Sequence, residues 1–362
     1  MPRLHSLKRG NVNVKSILKI LGVLLLVLGV ALGGVYIWAV QASDTRLAQT
    51  WPEVKGKTLE VPFALTDTEV SELRAKLLAE GKDHQGKALV PIQNEDGTET
   101  QPDPLAGADL KAIALERAKA RGAHLYTVRL ACKECHGADL AGRLIVDAQP
   151  VWTWYGPNIS KGGVTKDYKT ADWDRIIRHG VKPDDTNATM PAIDYMALSD
   201  REISDLIAYM TSKPAVDKVQ PPTAYGPVGR VLLATGKMPI AAEMIDHSAK
   251  TASVPPKSGV SVEYGRHIAQ PCVGCHRLEF EGGPIAAGPP DWPPAPNLTQ
   301  AGNLKNWKEA DFLKAMRTGL RPDGSALNPV AMPWPVLKQM SDMELKAIWA
   351  YLETLEPVPT GT

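Results

Sequence analysis

Cysteine is scarce in this sequence, which has four cysteines among 362 residues. All four lie in two C-x-x-C-H motifs, at residues 132–136 and 272–276, and disulfides between them would leave the two following histidines unexplained. A strong excess of charge is also missing, because 41 basic residues stand against 40 acidic ones. Five of the basic residues lie before position 20, so the rest of the chain is slightly acidic, which argues against a nucleic-acid partner.

Each C-x-x-C-H motif predicts covalent attachment of one haem. Two thiols three positions apart can reach the two vinyl groups of a haem, and the adjacent histidine then meets the iron. Neutral imidazole is a sound iron ligand. The sequence therefore predicts two haem c groups, the first on Cys132, Cys135 and His136 and the second on Cys272, Cys275 and His276.

Two other readings of paired cysteines fit less well. A structural zinc site uses C-x-x-C pairs that usually lie closer in sequence, and it does not require a histidine after each pair. A thioredoxin-like dithiol would need a βαβ context. Neither explains why the histidine recurs in both motifs.

Residues 17–40 predict a transmembrane helix, because no charged residue follows Lys19 in this stretch. As a helix these residues would span roughly 36 Å, enough for a hydrocarbon core of about 30 Å. A cleaved signal peptide is the competing interpretation, since Ala42 lies at a plausible cleavage site. Its apolar core would have only about 7 to 15 residues, so the length favours a retained anchor.

The basic residues before the apolar run predict its orientation. They have no acidic residue among them, which is typical of a cytoplasmic amino terminus, so the rest of the chain is expected in the periplasm of a bacterium. Covalent haem attachment also takes place there. The predicted location is the cytoplasmic membrane, crossed once, and the basic residues are Arg3, Lys8, Arg9, Lys15 and Lys19.

The second half of the chain repeats the first with an offset near 140 residues. The matched pairs fall in the same order and predict a duplication. They are residues 121–125 with 264–268, 156–160 with 295–299, Trp173 with Trp307, residues 178–180 with 317–319, and residues 190–191 with 332–333.

A helix with readable ends closes each repeat. Ser199 and Glu202 form a capping-box pattern, which Ser341 and Glu344 repeat. Apolar residues follow at helical spacing in both copies, so each helix has one stripe to bury. The fold class is therefore predicted to be mainly α.

Each repeat resembles a class I cytochrome c domain, in which an amino-terminal helix, haem motif, central helix, methionine loop and carboxy-terminal helix follow in this order. The resemblance implies that a glycine of the first helix lets the last helix approach, so we expect Gly122 near Tyr209 and Gly265 near Tyr351. The expected order along the chain is a basic cytoplasmic tail (1–16), a transmembrane helix (17–40), a periplasmic neck (41–107) with a short helix at 67–79, a first cytochrome c domain (108–213), a proline-rich linker (214–255), a second cytochrome c domain (256–357) and a tail (358–362).

Methionine is the expected ligand on the other side of each iron. Met190 lies 58 residues after Cys132 and Met332 lies 60 after Cys272, and a proline that would stiffen the loop follows each methionine. Met196 is the rival in the first domain, but it does not keep the register of the repeat. His/Met ligation raises the potential and leaves no open iron position, which favours electron transfer over catalysis.

Other matched positions of the repeat have weaker assignments. Arg178 and Arg317 could hold haem propionates, as could the indoles of Trp173 and Trp307, with core packing as the alternative. His179 precedes the methionine loop and is matched by Thr318, so it is not an expected ligand. No spacing argument assigns His84, His124, His247 or His267.

The resemblance implies a membrane-anchored dihaem cytochrome that passes single electrons. Its expected partner is a membrane redox complex: a dehydrogenase, a quinol-oxidising complex or a terminal oxidase. Soluble cytochromes and membrane lipid complete the expected partners. The alternative is an enzyme such as a dihaem peroxidase, in which one haem is open to substrate.

Overall fold

The structure is a computed structural model that describes residues 14–285, 288 and 292–361. Most of the predicted basic tail, including Arg3, Lys8 and Arg9, lies outside the described residues. The first helix, α1, spans Val14–Leu47 and is the one described helix long and apolar enough to cross a membrane. It therefore includes the predicted membrane segment and extends beyond it at its carboxyl end.

The residues after α1 cover one side of the first domain. Helix α2 spans Asp67–Glu80 and confirms the helix predicted at residues 67–79, with a capping box between Thr66 and Glu69. A two-stranded antiparallel hairpin follows, formed by β1 (Ile92–Gln93) and β2 (Glu99–Thr100). Glu69 also bonds Arg201, which ties the neck to the first domain.

The first domain has the helix order expected of a cytochrome c domain. A π-helical turn at Leu125–Arg129 and a 3-10 turn at Ala192–Asp194 interrupt the regular elements. In chain order these elements are α3 (Leu110–His124), α4 (Cys132–His136), β3 (Arg143–Ala148), β4 (Trp152–Gly156), α5 (Thr170–His179) and α6 (Asp200–Ser212).

The residues predicted as a linker, 214–255, are more structured than that name implies. They contain β5 (Ala224–Tyr225), α7 (Pro227–Ala234) and α8 (Ala241–Met244). Strand β5 pairs with β4 to complete an antiparallel sheet of order β3-β4-β5. Apolar side chains of this region, such as Leu233 and Met238, bury themselves with Trp51 and Trp152 in a separate small core.

The second domain repeats the helical framework. Short 3-10 turns at Gln270–Cys272 and Asn303–Asn306 join its helices. The elements are α9 (Val262–Ala269), α10 (Val273–His276), α11 (Glu309–Thr318), α12 (Trp334–Leu337) and α13 (Asp342–Leu352).

The predicted close approach of the first and last helices of each domain is confirmed. A Cβ on Gly122 would overlap the carbonyl oxygen of Asp205 and lie 2.7 Å from Cβ of Tyr209. A Cβ on Gly265 would lie 3.0 Å from Cβ of Tyr351. Only glycine allows the backbones this near to each other. The capping boxes that begin α6 and α13 are confirmed as well.

The chain after each last helix folds back onto its own domain. Asn158 donates through Nδ2 to the carbonyl oxygen of Val216 at 2.8 Å, and Asn297 donates in the same way to Val358 at 2.7 Å. Each repeat therefore extends a few residues past the predicted limits of 213 and 357.

Candidate haem sites

The histidines of both C-x-x-C-H motifs are held in the same way. His136 Nδ1 lies 3.1 Å from the carbonyl oxygen of Pro157, and His276 Nδ1 lies 2.8 Å from that of Pro296. Because a carbonyl can only accept, Nδ1 carries the hydrogen and donates, which leaves Nε2 of each ring unprotonated. A ring oriented in this way is ready to bind a metal through Nε2.

Burial keeps these imidazoles in the form that binds iron. It lowers the pKa of His136 and of His276, although the hydrogen bonds to the proline carbonyls act in the opposite direction. The repeat had matched Pro157 with Pro296 without assigning a role to either. Because the acceptor is a backbone atom, only the matched position in the two repeats could have indicated this role from the sequence.

The four cysteines lie in their motifs as free thiols. Burial raises the pKa of Cys132 and Cys272 to about 12 and that of Cys135 and Cys275 to about 11. A redox-active dithiol instead has a lowered thiol pKa. Among the described residues no cluster of three or more His, Cys, Asp or Glu side chains could hold a metal ion.

The backbone around the first motif is shaped for close packing. A Cβ on Gly156 would overlap the carbonyl oxygen of Cys135, so glycine lets β4 end directly against the motif. The next residue is Pro157, whose carbonyl holds His136. In both domains the residue six after the histidine, Gly142 or Gly282, donates its N–H back to the histidine carbonyl, at 2.9 and 3.0 Å.

Met190 and Met332 occupy matching turns. The N–H of Ala192 donates to the carbonyl oxygen of Met190 at 2.8 Å, and the N–H of Trp334 donates to that of Met332 at 2.7 Å. Met190 packs against the core of the first domain, the core that Cys132 also contacts. Met332 and Cys272 pack in the same way against the second core. These contacts fit a haem lying between cysteine and methionine in each domain.

Met196, the rival ligand, packs elsewhere. Its contacts are with a small cluster around Ala192 and Ile193 rather than with the core that Cys132 contacts. Met190 touches both groups of residues. The packing therefore supports Met190, the methionine that keeps the register of the repeat.

The two matched arginines brace the protein rather than facing a free ligand. Arg178 is 1% exposed, donates through Nε to the carbonyl oxygen of Leu198 at 2.9 Å and pairs with Asp174 and Asp200. Arg317 makes the equivalent contacts with Met340 and Asp342. Protein groups thus engage each guanidinium, and the hypothesis that these arginines also hold haem propionates stays a prediction. Both arginines tie the end of a methionine loop to the start of the last helix.

The matched tryptophans follow the core-packing alternative. Trp173 is buried in the first core with its ring edge-on to Tyr168, at 5.4 Å between ring centroids. Trp307 is half-buried against the second core.

His179 pairs with His247, with Nδ1 atoms 3.1 Å apart, and burial lowers the pKa of His179 to about 4.

Each methionine loop also contacts the other domain. In the first loop, the 3-10 turn at Ala192–Asp194 packs against α10, the helix that carries the second motif. In the second loop, α12 packs against the π-helical turn that precedes the first motif. The two haem-holding segments therefore face each other across one seam between the domains.

Asp194 lies in the middle of this seam. Its carboxylate contacts the position where Gly274 lacks a side chain, inside the second motif. Burial raises the pKa of Asp194 to about 8, although a hydrogen bond from the backbone of Gly274 favours the ionised form. The Asp194 charge also acts on Cys135 of the first motif, so this carboxyl group lies near both motifs.

Two histidines that sequence analysis left unassigned join the domains reciprocally. His124 Nε2 lies 2.8 Å from Glu344, and its repeat partner His267 lies 2.8 Å from Glu202, the repeat partner of Glu344. Each histidine belongs to a first helix and each glutamate to the capping box of the other domain. The repeat positions alone could have suggested this pseudo-twofold pairing.

Comparison with known proteins identifies both repeats. The family described as cytochrome C oxidase, cbb3-type, subunit III matches residues 117–210, and the family described as cytochrome c matches residues 262–356. Both matches lie inside the repeats found from the sequence. Each contains one C-x-x-C-H motif with its downstream Met-Pro.

Several curated relatives are cytochrome subunits of dehydrogenases. The chain is 27% identical over 269 residues to the cytochrome c subunit of alcohol dehydrogenase (quinone) from Gluconacetobacter polyoxogenes, covering 65% of this chain and 55% of the relative. It is 31% identical over 99 residues to the fructose dehydrogenase cytochrome subunit of Gluconobacter japonicus, covering 25% of this chain and 20% of the relative. The gluconate 2-dehydrogenase cytochrome c subunit of Pantoea cypripedii is 34% identical over 99 residues, covering 25% and 22%.

The chain thus spans about half the length of the alcohol dehydrogenase subunit that it matches. The chain is therefore a dihaem cytochrome c, with two cytochrome c domains in tandem.

Proposed function

We propose that this cytochrome is the electron-transferring subunit of a membrane-bound dehydrogenase, held at the outer face of the bacterial cytoplasmic membrane by α1. The observation that carries the proposal is the seam, in which each methionine loop packs against the haem-attachment segment of the other domain. Such a seam brings two redox sites of one chain close together. The dehydrogenase subunits among its relatives supply the class of partner.

In this proposal the residues of each domain hold one haem in a closed coordination. Cys132, Cys135, Cys272 and Cys275 attach the haems, and His136 with Met190 and His276 with Met332 bind the two irons. When bound, each haem supplies a one-electron change of its iron. The protein fixes the tautomer of each imidazole, and its two apolar cores exclude water. The seam sets the positions of the two sites relative to each other.

The helix α1 supports the membrane part of the proposal. Its apolar side chains between Ile17 and Trp38 are exposed to the surroundings, as lipid-facing residues are. The mass of the mature haem protein tests this directly. A retained anchor predicts a mass that includes residues 1–42, whereas cleavage after Ala42 would remove that segment and contradict the anchor.

Purification of the tagged chain from membranes in a mild detergent tests the partner. We expect a dehydrogenase catalytic subunit to copurify, and addition of its substrate to reduce both haems of the complex. A variant in which a cleavable signal peptide replaces residues 1–42, so that the chain is still exported but lacks the membrane-crossing part of α1, is the matched control for association through the membrane. Copurification of a terminal oxidase without any dehydrogenase would contradict the proposed partner.

Carbon monoxide distinguishes a closed relay from a dihaem peroxidase. Two His/Met irons predict that the reduced native protein binds no carbon monoxide. Binding of one equivalent per chain, seen as a shift of the Soret band, would instead indicate an open iron and favour the enzyme.

A further inference from the structure

Two uncharged turns meet beside the outer part of α1. Residues 148–151 join β3 to β4, and residues 226–229 lead from β5 into α7. The N–H of Val228 donates to the carbonyl oxygen of Pro150 at 3.1 Å, and that of Gly226 donates to Val151 at 2.8 Å. None of these eight residues is charged. We call residues 148–151 and 226–229 the uncharged tip.

The contacts of α7 fix the position of the tip along α1. Arg230 donates through Nη1 to Ser43 Oγ at 3.0 Å, and Arg46 donates to the carbonyl oxygen of Leu233 at 2.7 Å. Because residue 230 lies beside residue 43 and residue 233 beside residue 46, α7 runs alongside α1 in the same direction. The tip precedes Arg230 and therefore points back along α1 toward its apolar run.

The face of α1 that is buried against the rest of the protein extends to the level of the uncharged tip. Ser43 and Ala39, one helical turn apart on one face, are both 0% exposed. Residues 20–43 carry no charge. A hydrocarbon core of about 30 Å needs about 20 helical residues, so a core that begins after Lys19 ends close to Ala39. The tip thus lies at the level of the lipid headgroups.

The residues around the uncharged tip are of the types that occur at the level of the lipid headgroups. Tyr36 and Trp38 are exposed on α1, at 46% and 49%, as aromatic residues of a membrane interface are. Val228 is 44% exposed at the end of the tip. Behind the tip the rings of Trp152 and Trp154 stack at 4.8 Å between centroids, which gives the turns a rigid support.

We propose that the uncharged tip is a membrane-contact surface that inserts into the headgroup layer of the bilayer that α1 crosses. Lipid is the occupant because the tip continues the exposed apolar surface of α1 at the membrane boundary. The inference rests on α1 being a retained anchor, as in the proposed function. Strand β4 runs from the tip to Gly156, next to the carbonyl of Pro157 that holds His136, so this contact orients the first haem site relative to the membrane.

Spin labels on introduced cysteines test the depth of the tip. In the haem-loaded protein all four native cysteines are bound to haem, so one introduced cysteine is the only free thiol. The purified full chain is placed in nanodiscs of phosphatidylcholine and phosphatidylglycerol, without any partner protein. Collisions of the label with oxygen, which concentrates in lipid, are compared with collisions with a water-soluble nickel chelate.

The labelled variants are Val228→Cys and Gln149→Cys on the two turns, Val27→Cys on α1 and Val260→Cys as the matched control. Val260 is 56% exposed in the second domain. We expect an oxygen-to-nickel collision ratio several-fold higher at positions 228 and 149 than at 260. The ratio at Val27, which is 59% exposed on α1, is expected to be higher still.

The outcomes separate the two proposals. A lipid-like signal at position 27 with water-like signals at 228 and 149 would overturn the membrane contact of the tip and leave the anchor intact. A water-like signal at position 27 would overturn the anchor and the proposed function with it. A lipid-like signal at 228 and 149 in the isolated chain also rules out that the tip needs a second protein to cover it.

Discussion

The two cytochrome c domains share the framework that holds a haem and differ in almost everything around it. Both keep the histidine that donates to a proline carbonyl, the turn at the methionine and the arginine brace after it. The first domain adds the β-sheet, the neck and the contacts to α1. Duplication has therefore preserved what touches the cofactor, while the surfaces that meet other parts of the molecule have diverged.

The segment after the haem motif illustrates this divergence. It has nearly the same length in both domains, from His136 to Pro157 and from His276 to Pro296. In the first domain it contains β-branched and aromatic residues and forms the β3-β4 hairpin. In the second domain residues 282–296 include six prolines, which cannot donate to a strand ladder.

The segment before the motif differs in length. Ten positions separate Gly122 from Cys132, and seven separate Gly265 from Cys272. The π-helical turn at Leu125–Arg129 accommodates the longer segment. It places Val128 in the core of the second domain and lets Arg129 pair with Glu202 at 3.0 Å. The inserted turn thus adds Val128 to the seam and a buried Arg129 behind Glu202, the residue that meets His267 across the seam.

Replacement of the methionine ligands would break the feature that the domains share most closely. Met332→Ala should lower the potential of the second haem by roughly 0.1–0.3 V, within the about 0.8 V that axial ligands can cover, because the thioether stabilises reduced iron. The reduced variant should also bind carbon monoxide. Met190→Ala should act likewise on the first haem, measured by redox titration of the Soret and α bands.

Met196→Ala is the control for the methionine prediction. It keeps the Met-Pro turn and changes only a side chain that packs outside the core that Cys132 contacts. Its redox titration should match that of the native protein. A titration unchanged in Met190→Ala but shifted in Met196→Ala would reverse the assignment of the first iron.

Removing the charge of Glu202 would break the stronger side of the seam. Its side chain is 4% exposed and meets both Arg129, 7% exposed, and His267. Glu202→Gln leaves the Arg129 cation buried without a partner, which should lower the free energy of unfolding by about 4 kcal/mol. Glutamine can still serve in the capping box, so the change isolates the seam. Urea unfolding followed at the Soret band measures the loss.

The same carboxylate should make the seam sensitive to acid. Burial opposes ionisation of Glu202, but the hydrogen bond from His267 and the charge of Arg129 outweigh it and lower the pKa of Glu202 from 4.5 to about 2. A lowered pKa stabilises the folded protein above pH 4.5, and this contribution is lost as the pH falls toward 2. The penalty of Glu202→Gln should therefore shrink by about 1.4 kcal/mol per pH unit below 4.5. A penalty independent of pH would contradict this.

The helical framework could be predicted from the sequence because it depends on local and repeated signals. The capping boxes at Ser199 and Ser341 and the helix at 67–79 were found in this way, whereas the glycine contacts at Gly122 and Gly265 were expected from the resemblance to class I cytochrome c domains. Each signal lies within a few residues or recurs at a fixed offset. Repetition made these weak patterns readable.

Contacts between distant segments could not be predicted. Nothing local in residues 224–245 indicates that they bury themselves against Trp51 and Trp152, and their prolines suggested a linker. The aspartate partners of Arg178 and Arg317 could not be read from the sequence, because a guanidinium pairs equally well with a propionate and with a carboxylate of the protein. Asp194 escaped notice because its importance lies in the opposite domain, where Gly274 leaves room for it.

The contact between Glu344 and His124 forms the weaker side of the seam, and its loss is expected to have the smallest effect. Comparing this loss with that of Glu202→Gln is the sharpest test of the difference between the two sides. Across the seam Glu344 contacts His124, whose side chain is 40% exposed, and in the described part of the chain no ion pair joins Glu344 to an arginine. Glu344→Gln should therefore lower the free energy of unfolding by only about 1 kcal/mol. The measurement is the same urea titration as for Glu202→Gln. Equal losses in the two variants would contradict the larger loss that we expect where the buried Arg129 of the inserted turn backs the glutamate of the seam.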